Sequence, residues 1–239
     1  MIRCLLTGDS KGLGYALATV MVSQHIEVIG CARHAPPVSD WVHWPIDLSD
    51  PAQSAATFQQ RLAELSWDDV TEVWLIHNAG TVQPIDCVNR LPIHETIAAF
   101  QINLVTPVVL TTVFLQVVEK LSIPIKVLNI TSGAAQKAYP GWSVYGATKA
   151  GLDHFVRVAG VEDRPNVKVA AVAPGVLDTN MQSEIRATSK EAFPLLDRFI
   201  QLHESGELTD PNVVAKQLVE YLQTDTIQHG EITDVRNWV

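Results

Sequence analysis

Residues 2–14 read I-R-C-L-L-T-G-D-S-K-G-L-G, a short apolar run followed at once by a glycine-rich turn. An apolar helical pattern then continues to about residue 23. Strand, glycine turn and helix in this order are typical of sites where a dinucleotide pyrophosphate meets a helix N-terminus. The glycines let the backbone approach, and the free amides receive the negative charge. The spacing is G-x-x-x-G-x-G rather than G-x-G-x-x-G, and either pattern alone is also compatible with a purely structural turn.

Apolar runs alternate with helical patterns along nearly the whole chain. The pattern predicts strands at 2–7, 26–31, 42–46, 71–77, 125–131, 167–173 and 230–235. It predicts helices at 12–24, 51–65, 95–120, 143–161, 188–204 and 211–223. Such alternation indicates an α/β fold, with a parallel sheet covered by helices on both faces. Because the 239 residues contain no linker, repeat or charge block, we expect a single domain over residues 1–239.

Polar or glycine residues follow six of the predicted strands. In open parallel sheets, ligands bind beyond the carboxyl ends of the strands. Packing alone does not explain six such ends, so the sequence predicts a ligand cleft along this edge. The residues at these ends are the glycine turn 8–14, Arg33, Asp47, the N-A-G segment 78–80, Ser132, and Pro174 with Gly175.

Tyr145 and Lys149 are four residues apart in Y-G-A-T-K, and Ser132 lies thirteen residues before the tyrosine. On a helix, Tyr145 and Lys149 share one face. We expect the ammonium to lower the pKa of the phenol, which could then exchange a proton with a carbonyl or alcohol oxygen. Ser132 would hold the same oxygen. The pattern predicts a site that interconverts C=O and CH–OH; the alternative is an exposed i,i+4 pair.

Composition argues against several classes of protein. A net charge of −9 and a pI near 5.3 argue against a nucleic-acid partner. We expect no membrane partner, because no apolar run looks long and uncharged enough to cross a bilayer. Met1 leads directly into the first strand, so we expect no signal peptide and a cytoplasmic protein. The cysteines Cys4, Cys31 and Cys87 lack metal-ligand spacing and the eight histidines are scattered, so we predict no metal.

Taken together, the motifs resemble the short-chain dehydrogenase/reductase family over essentially the whole chain. The matching segments are T-G-D-S-K-G-L-G (7–14), D-L (47–48), N-A-G (78–80), Asn103, N-I-T-S-G (129–133), Y-G-A-T-K (145–149) and P-G-V-L-D-T (174–179). The resemblance implies a Rossmann-type three-layer domain with the sheet order 3-2-1-4-5-6-7 and a nicotinamide cofactor. It also implies a catalytic tetrad, which falls on Asn103, Ser132, Tyr145 and Lys149.

The same resemblance implies roles for individual residues. Tyr145 would exchange the proton, and Lys149 would also bind the nicotinamide ribose. Asn103 would hold a water that returns the proton through Lys149; the alternative for Asn103 is an amide bonded to backbone inside a helix. The implied cofactor contacts are Gly8, Ser10, Lys11, Gly12, Leu13, Asp47, Leu48, Asn78, Ala79, Gly80, Tyr145, Lys149, Pro174, Gly175, Val176 and Thr179.

Three of these cofactor contacts have structural alternatives. Asp47 would reach the adenine amino group, or it could cap the helix before Pro51. The N-A-G segment 78–80 would contact the cofactor, or it could simply end a strand. Thr179 would meet the nicotinamide carboxamide, or it could cap the next helix.

The end of the second strand indicates which nicotinamide cofactor is used. NAD sites place an acid there to hold the ribose hydroxyls, whereas G-C-A-R-H at 30–34 has none. Arg33 and Lys11 are cations suited to a 2′-phosphate, so we predict NADP(H); the alternative is two solvated charges. Two residues depart from the family pattern. Asp9 adds an acid to the phosphate turn, and His77 stands where an asparagine is usual.

A narrower resemblance, to sepiapterin reductases and bacterial benzil (diketone) reductases, rests on three segments. They are Y-P-G-W-S-V-Y (139–145), A-P-G-V-L-D-T-N-M-Q (173–182) and G-E-I-T-D (230–234). It implies that Asp234 holds the pterin of a sepiapterin-like substrate, the alternative being a surface acid. We expect Trp142 to form a pocket wall or else a core anchor, and segment 178–208 to form a substrate lid. The predicted substrate contacts are Ser132, Trp142, Tyr145, Met181 and Asp234.

These expectations describe an NADPH-dependent carbonyl reductase acting on a ketone or dicarbonyl. A reductase of another ketone, such as a 3-oxoacyl thioester, is an alternative, although Trp142 would crowd a long acyl arm. A non-catalytic NADP(H) sensor is another alternative, which the complete tetrad disfavours. Helix 95–120 is apolar nearly all round. Together with helix 143–161 it is predicted to form a homodimer face; simple burial against the sheet is the alternative.

Overall fold

Seven parallel strands form the central sheet of the computed structural model, which describes residues 1–224 and 226–238. The sheet order is β3-β2-β1-β4-β5-β6-β7, which confirms the predicted order. The strands are β1 (Ile2–Thr7), β2 (Glu27–Ala32), β3 (Val42–Pro45), β4 (Glu72–His77), β5 (Ile125–Ile130), β6 (Val167–Ala173) and β7 (Ile232–Asp234).

Helices cover both faces of this sheet, as the alternating sequence pattern predicts. In the described parts of the chain they are α1 (Gly12–Ser23), α2 (Pro51–Ala63), α3 (Ile93–Phe100), α4 (Thr106–Val118), α5 (Ser143–Ala159), α6 (Asn180–Arg186), α7 (Leu196–Glu204) and α8 (Pro211–Gln223). The predicted single α/β domain is confirmed.

Each face of the sheet carries its own apolar core, because successive side chains of a strand point to opposite sides. Leu6 of β1 packs with residues of α1 and α8, whereas its neighbour Leu5 packs with residues of α2 and α4. The central strands are therefore mostly apolar on both faces, with a few buried polar residues such as Arg3 and Asn129. Their carboxyl ends are fixed along one edge, and the polar residues that follow them are brought together there.

The longest helix of the described chain runs from Ile93 to Leu121 and joins α3, a π-helical turn (Gln101–Val105) and α4. Our expectation that no apolar segment is long enough to cross a membrane is wrong for this helix, because its length and composition would suffice. In the fold, however, Leu110, Phe114 and Val118 of α4 pack against the sheet in the second core. Burial against the sheet thus accounts for much of its apolar character.

The first half of the predicted helix 188–204 is wrong. Residues 187–195 form turns, which include a bond from Phe193 N to Ser189 O of 2.9 Å, and α7 begins only at Leu196. The short helix α6 lies before the predicted range. Pro194 explains the interruption, because a proline disfavours the helical conformation of the residue before it and has no N–H to donate. All other predicted elements agree with the structure to within two residues at each end.

Candidate active site

A cleft of about 570 Å³ opens at the carboxyl ends of the central strands. Most of the predicted site residues line it, but Asn103 and Asp234 do not. The predicted residues in the wall are Gly8, Ser10, Lys11, Gly12, Leu13, Arg33, Asp47, Leu48, Asn78, Ala79, Gly80, Ser132, Trp142, Tyr145, Lys149, Pro174, Gly175, Val176, Thr179 and Met181.

The turn between β1 and α1 is shaped for a phosphate group. Lys11 is the N-cap residue of α1, and it is extended and makes no side-chain cap bond, so no side chain from that position satisfies the first amides of the helix. Gly8 has φ +75°, and a Cβ there would lie 2.9 Å from Ala79 Cα. A Cβ on Gly14 would overlap the carbonyl oxygen of Gly8. Tight backbone packing and free helix amides are what a dinucleotide pyrophosphate requires, so these residues fit that group.

The far end of the cleft, beyond β2 and β3, carries both signs of charge. Asp47 Oδ1 accepts from Ser49 N at 3.0 Å and from Ser49 Oγ at 2.8 Å. These bonds, with the charge of Arg33, lower the pKa of Asp47. Asp47 does not cap α2, since Asp50 does so by accepting from Gln53 N at 3.0 Å. The Asp47 carboxylate and the Arg33 guanidinium therefore face the same part of the cleft.

Asp9 belongs to the phosphate turn, but it does not line the cleft. Its side chain is wholly buried, accepts from Trp41 Nε1 at 2.9 Å and pairs with His43 Nδ1 at 2.9 Å. It fills the space beside Gly30, where a Cβ would overlap the Asp9 carboxylate. The unusual acid thus fastens the turn to the segment around β3.

Asn78 connects the ends of β4 and β1. Its Nδ2 donates to Thr7 O at 3.2 Å and to Gly8 O at 3.0 Å. Thr7 Oγ1 in turn accepts from Asn78 N at 3.1 Å and from Ala79 N at 3.2 Å. The segment is therefore a structural brace for the glycine turn as well as part of the cleft wall.

Tyr145 and Lys149 lie on successive turns of α5, with Lys149 Nζ 5.9 Å from the centroid of the phenol ring. Ser132 follows β5, and its Oγ accepts from Ala134 N at 3.2 Å, which begins the short turn Gly133–Ala135. A Cβ on Gly146 would come within 3.0 Å of Ala134 O, so α5 packs closely on this turn. The close packing brings Ser132 beside Tyr145 in the cleft wall.

Burial controls the titration of this pair. It raises the pKa of Tyr145, and the interaction with the Ser132 hydroxyl opposes that rise. The predicted lowering by Lys149 is not found, because burial of the phenol itself raises its pKa and outweighs the opposing interaction. Burial also lowers the pKa of Lys149 to about 8, with Asp153 opposing the fall. Lys149 Nζ donates to Ile130 O at 2.7 Å. The phenol therefore holds its proton at neutral pH, which is the protonation state that a general acid requires, although the raised pKa makes it a weaker acid.

Asn103 lies in the π-helical turn and is almost fully buried. Its Oδ1 accepts from Thr81 N at 2.8 Å, and its Nδ2 donates to Thr81 O at 2.8 Å and to Thr148 Oγ1 at 3.2 Å. These bonds correspond to the structural alternative, an amide engaged with backbone. Asn103 Oδ1 and Lys149 Nζ both lie close to Gly80. A Cβ on that glycine would be 3.2 Å from Asn103 Oδ1 and 3.7 Å from Lys149 Nζ.

His77, the other departure from the family pattern, lies in the protein interior. Its Nε2 lies 2.9 Å from Thr111 Oγ1. Burial, with a smaller effect of the Lys149 charge, lowers the pKa of His77 to about 3. The imidazole is therefore neutral at physiological pH and acts as a packing residue behind the cleft.

Trp142 is both a core anchor and a wall of the cleft. Its ring stacks on Phe193 at 4.8 Å between centroids and meets Phe199 at 5.3 Å, Tyr139 at 5.2 Å and Tyr145 at 5.5 Å. Tyr139 and Phe199 also line the cleft, and sequence reasoning missed both as site residues. Only the folding of α7 over the cleft reveals Phe199, because no local motif marks it.

Thr179 lines the cleft, whereas Asp234 does not. Thr179 is the N-cap residue of α6 but makes no cap bond, and its Cγ2 would lie 3.3 Å from a Cβ on Gly12. Asp234 Oδ1 accepts from Arg236 Nε at 2.8 Å and from Arg236 N at 3.0 Å. This pairing lowers the pKa of Asp234. Arg236, rather than Asp234, contributes to the cleft wall.

Metal-ligating side chains do not gather anywhere in residues 1–224 and 226–238. No group of three or more His, Cys, Asp or Glu side chains there could hold a metal ion. The three cysteines are free thiols, and burial raises the pKa of Cys4 and of Cys31.

The fold and the cleft together have the architecture of an oxidoreductase that binds a nicotinamide dinucleotide. The family described as short chain dehydrogenase has a sequence model that matches residues 3–190, so the chain belongs to this family of NAD(P)(H)-dependent oxidoreductases.

Individual relatives agree with the family. The chain is 36% identical over 240 residues to benzil reductase ((S)-benzoin forming) from Bacillus cereus, across 95% of this chain and 96% of that protein. It is 37% identical over 163 residues to sepiapterin reductase from Rattus norvegicus, across 67% and 62% of the two chains. The solved short-chain dehydrogenase/reductase YIR035C from Saccharomyces cerevisiae has a TM-score of 0.84 and 25% identity, across 100% of this chain and 97% of that one. The resemblances read from the sequence are thereby confirmed.

Proposed function

We propose that this protein is an NADPH-dependent reductase of ketones and dicarbonyls, with Tyr145 as the general acid. One observation carries the proposal: the Tyr145 phenol lies beside the Ser132 hydroxyl, in the same cleft as the phosphate turn. The membership of the family and the similarity to reductases of benzil and sepiapterin support it.

NADPH, when bound, supplies the hydride that adds to the carbonyl carbon. The Tyr145 hydroxyl donates its proton to the carbonyl oxygen, so a C=O group and a proton become CH–OH as NADPH becomes NADP⁺. The Ser132 hydroxyl donates a hydrogen bond to the same oxygen and orients it. Lys149, with its pKa near 8, can then pass a proton back toward the phenol. Asn103 braces the loop at Thr81 beside Lys149, and both Nδ2 donors are engaged. Its Oδ1 accepts only one bond from the described residues, so its second lone pair would hold the water that supplies this proton.

The choice of NADPH over NADH rests on charge at the far end of the cleft. Arg33 and Lys11 both line it, and the segment that ends β2 supplies no acid for the ribose hydroxyls. An Arg fork and a Lys ammonium match the geometry and charge of a 2′-phosphate. Asp47, with its carboxylate ionised, would accept from the adenine amino group.

Aromatic walls suit a planar substrate. Trp142, Tyr139 and Phe199 surround the space in front of Tyr145, which favours an aryl ketone or diketone over a long acyl chain. Met181 would complete the wall, and the segment 178–208 would close over the substrate as a lid. Asp234 could hold a pterin only by leaving its ion pair with Arg236, which makes a diketone the better match.

The test is NADPH oxidation in the presence of benzil or sepiapterin. We expect turnover by the wild type and a loss of about a thousandfold in Tyr145→Phe, within the range for removal of a general acid. Tyr221→Phe is the matched control. Tyr221 lies on α8, its hydroxyl donates to Glu231 Oε2 at 2.8 Å, and it does not line the cleft. Wild-type rates in Tyr145→Phe would refute the mechanism. A wild type that binds NADPH and reduces no carbonyl would favour the sensor.

We also propose that the protein is a cytoplasmic homodimer, joined through the helix from Ile93 to Leu121 and through α5. Apolar side chains remain exposed on both helices, among them Ile97 and Val158, and a shallow depression between α4 and α5 is lined by Leu115 and Phe155. Size-exclusion chromatography at micromolar concentration tests this arrangement, and a clean monomer would refute it.

A further inference from the structure

Gln182 is a buried amide in the substrate half of the cleft with no hydrogen-bond partner. The residue follows Met181 in α6, lines the cleft and is only 2% exposed. Neither its Oε1 nor its Nε2 is bonded to any described residue. Nε1 of Trp142, in the same wall, is likewise buried without a partner. Two unpaired polar groups thus lie at one end of the cleft.

Packing does not explain this amide. Most buried polar groups in folded proteins are hydrogen-bonded, and leaving one unpaired is unfavourable by the full cost of removing it from water. A methionine or leucine would fill a similar volume at that position without this cost. The described protein gives this amide no partner of its own, and a ligand that enters the cleft would supply one.

We propose that Gln182 is a specificity residue that binds the second, non-reacting oxygen of a dicarbonyl substrate through Nε2–H. The inference rests on the proposed reductase function and narrows its substrates to aryl carbonyl compounds with a second oxygen beside the reacting one. The reacting carbonyl lies at Ser132 and Tyr145, and the aryl groups lie against Trp142 and Phe199. Trp142 Nε1–H offers a further donor to the same oxygen.

The position of Gln182 allows this contact to form when substrate enters. The residue lines the cleft but its amide atoms are shielded from solvent, so the proposed contact requires a rotation of the side chain toward the cleft. The residue lies in the first turn of α6, three residues after Thr179, which faces Gly12 of the phosphate turn. The helix that carries Gln182 is thereby placed between the cofactor end and the substrate end of the cleft.

The experiment compares benzil with deoxybenzoin. Both compounds carry the same two phenyl groups, but in deoxybenzoin a methylene replaces the second carbonyl. The variant is full-length Gln182→Met, assayed with NADPH. We expect its KM for benzil to rise about tenfold, which is the effect of one lost hydrogen bond, and its kcat to stay within twofold of wild type. Both constants for deoxybenzoin should stay within twofold of wild type. Gln201→Met, on the exposed face of α7, is the matched control and should behave as wild type.

Thermal unfolding without ligand separates recognition from a structural role. Because Gln182→Met removes an unpaired buried amide, we expect its Tm to be equal to or above that of wild type. A lowered Tm together with equal losses on both substrates would overturn the proposal, as would an unchanged KM for benzil. If the wild type reduces neither compound but reduces sepiapterin, only this inference fails. If it reduces none of the three, the reductase function itself fails, a result distinct from the loss of discrimination alone.

Discussion

The two ends of the cleft are built in different ways. The cofactor end is made of backbone: Gly8 and Gly14 allow close approach, and α1 begins at Gly12 without a side-chain cap. The substrate end is made of side chains, with the ring of Trp142 packed on residues from α5 and from the segment around α7. Backbone contacts demand glycine at fixed positions, whereas an aromatic wall can be assembled from many sequences. The first end therefore carries a motif, and the second does not.

Among the variants proposed here, Arg33→Asp should distinguish the cofactor end of the cleft from the substrate end most strongly. Reversal of the charge removes a fork donor and adds repulsion toward a 2′-phosphate, so the KM for NADPH should rise about 100-fold. The KM for NADH and the KM for the carbonyl should change little. Steady-state kinetics with both cofactors measure this directly.

Arg61→Asp is the control for that variant, because it makes the same change of charge on the exposed surface of α2, where Arg61 pairs with Glu64. Its NADPH/NADH preference should equal that of wild type. If Arg33→Asp keeps the wild-type preference between NADPH and NADH, the assignment of NADPH is wrong and Arg33 and Lys11 are solvated cations.

The pH dependence of kcat/KM tests the role of Lys149, which lies between the cofactor end and the substrate end of the cleft. Since burial lowers the pKa of Lys149 to about 8, the ammonium is present below that pH and is lost above it. We expect kcat/KM for carbonyl reduction to be flat below about pH 8 and to fall by up to tenfold per pH unit above it. Lys149→Arg should remove this inflection and lower the rate at every pH, because a guanidinium stays charged and cannot pass on a proton. The same inflection in both proteins would contradict a role for Lys149 in proton supply.

Asp9→Ala should have the smallest effect on cofactor binding, although Asp9 lies within the phosphate turn. The variant loses the bonds to Trp41 and His43, so we expect a loss of stability of about 2 kcal/mol and a Tm lower by about 4–8 °C. The KM for NADPH should stay within about twofold. Asp9→Asn, which keeps an acceptor for Trp41, should lose roughly half as much. A large rise in the KM for NADPH without loss of stability would show that the acid acts on the cofactor.

Prediction from sequence succeeded where local chemistry fixes the structure. The strands, the glycine turn and the spacing of Tyr145 and Lys149 are set by short-range constraints, and together they placed the cleft. Prediction was weaker for residues whose partners are distant in sequence. The environment that raises the pKa of Tyr145 and lowers that of Lys149 is a property of tertiary burial, which the i,i+4 spacing does not reveal.

The substrate end shows the same limit more clearly. The sequence pattern predicted one helix at 188–204. It therefore did not reveal the turns around Pro194 or the folding of α6 and α7 over the cleft. Phe199 and Gln182 fell within the predicted lid 178–208, but the sequence did not identify them as residues of the cleft wall. Nothing local distinguishes a phenylalanine or glutamine in a cleft wall from one on an ordinary helix. The unpaired state of Gln182 is visible only when its neighbours are known.

The central claim concerns the position of one hydroxyl, and a crystal structure with NADP⁺ and a bound diketone tests it most directly. We predict that Tyr145 Oη and Ser132 Oγ both lie within hydrogen-bond distance of the same carbonyl oxygen, with nicotinamide C4 about 3–3.5 Å from the carbonyl carbon. A nicotinamide ring seated elsewhere, or a Tyr145 hydroxyl turned away from that oxygen, would contradict the account.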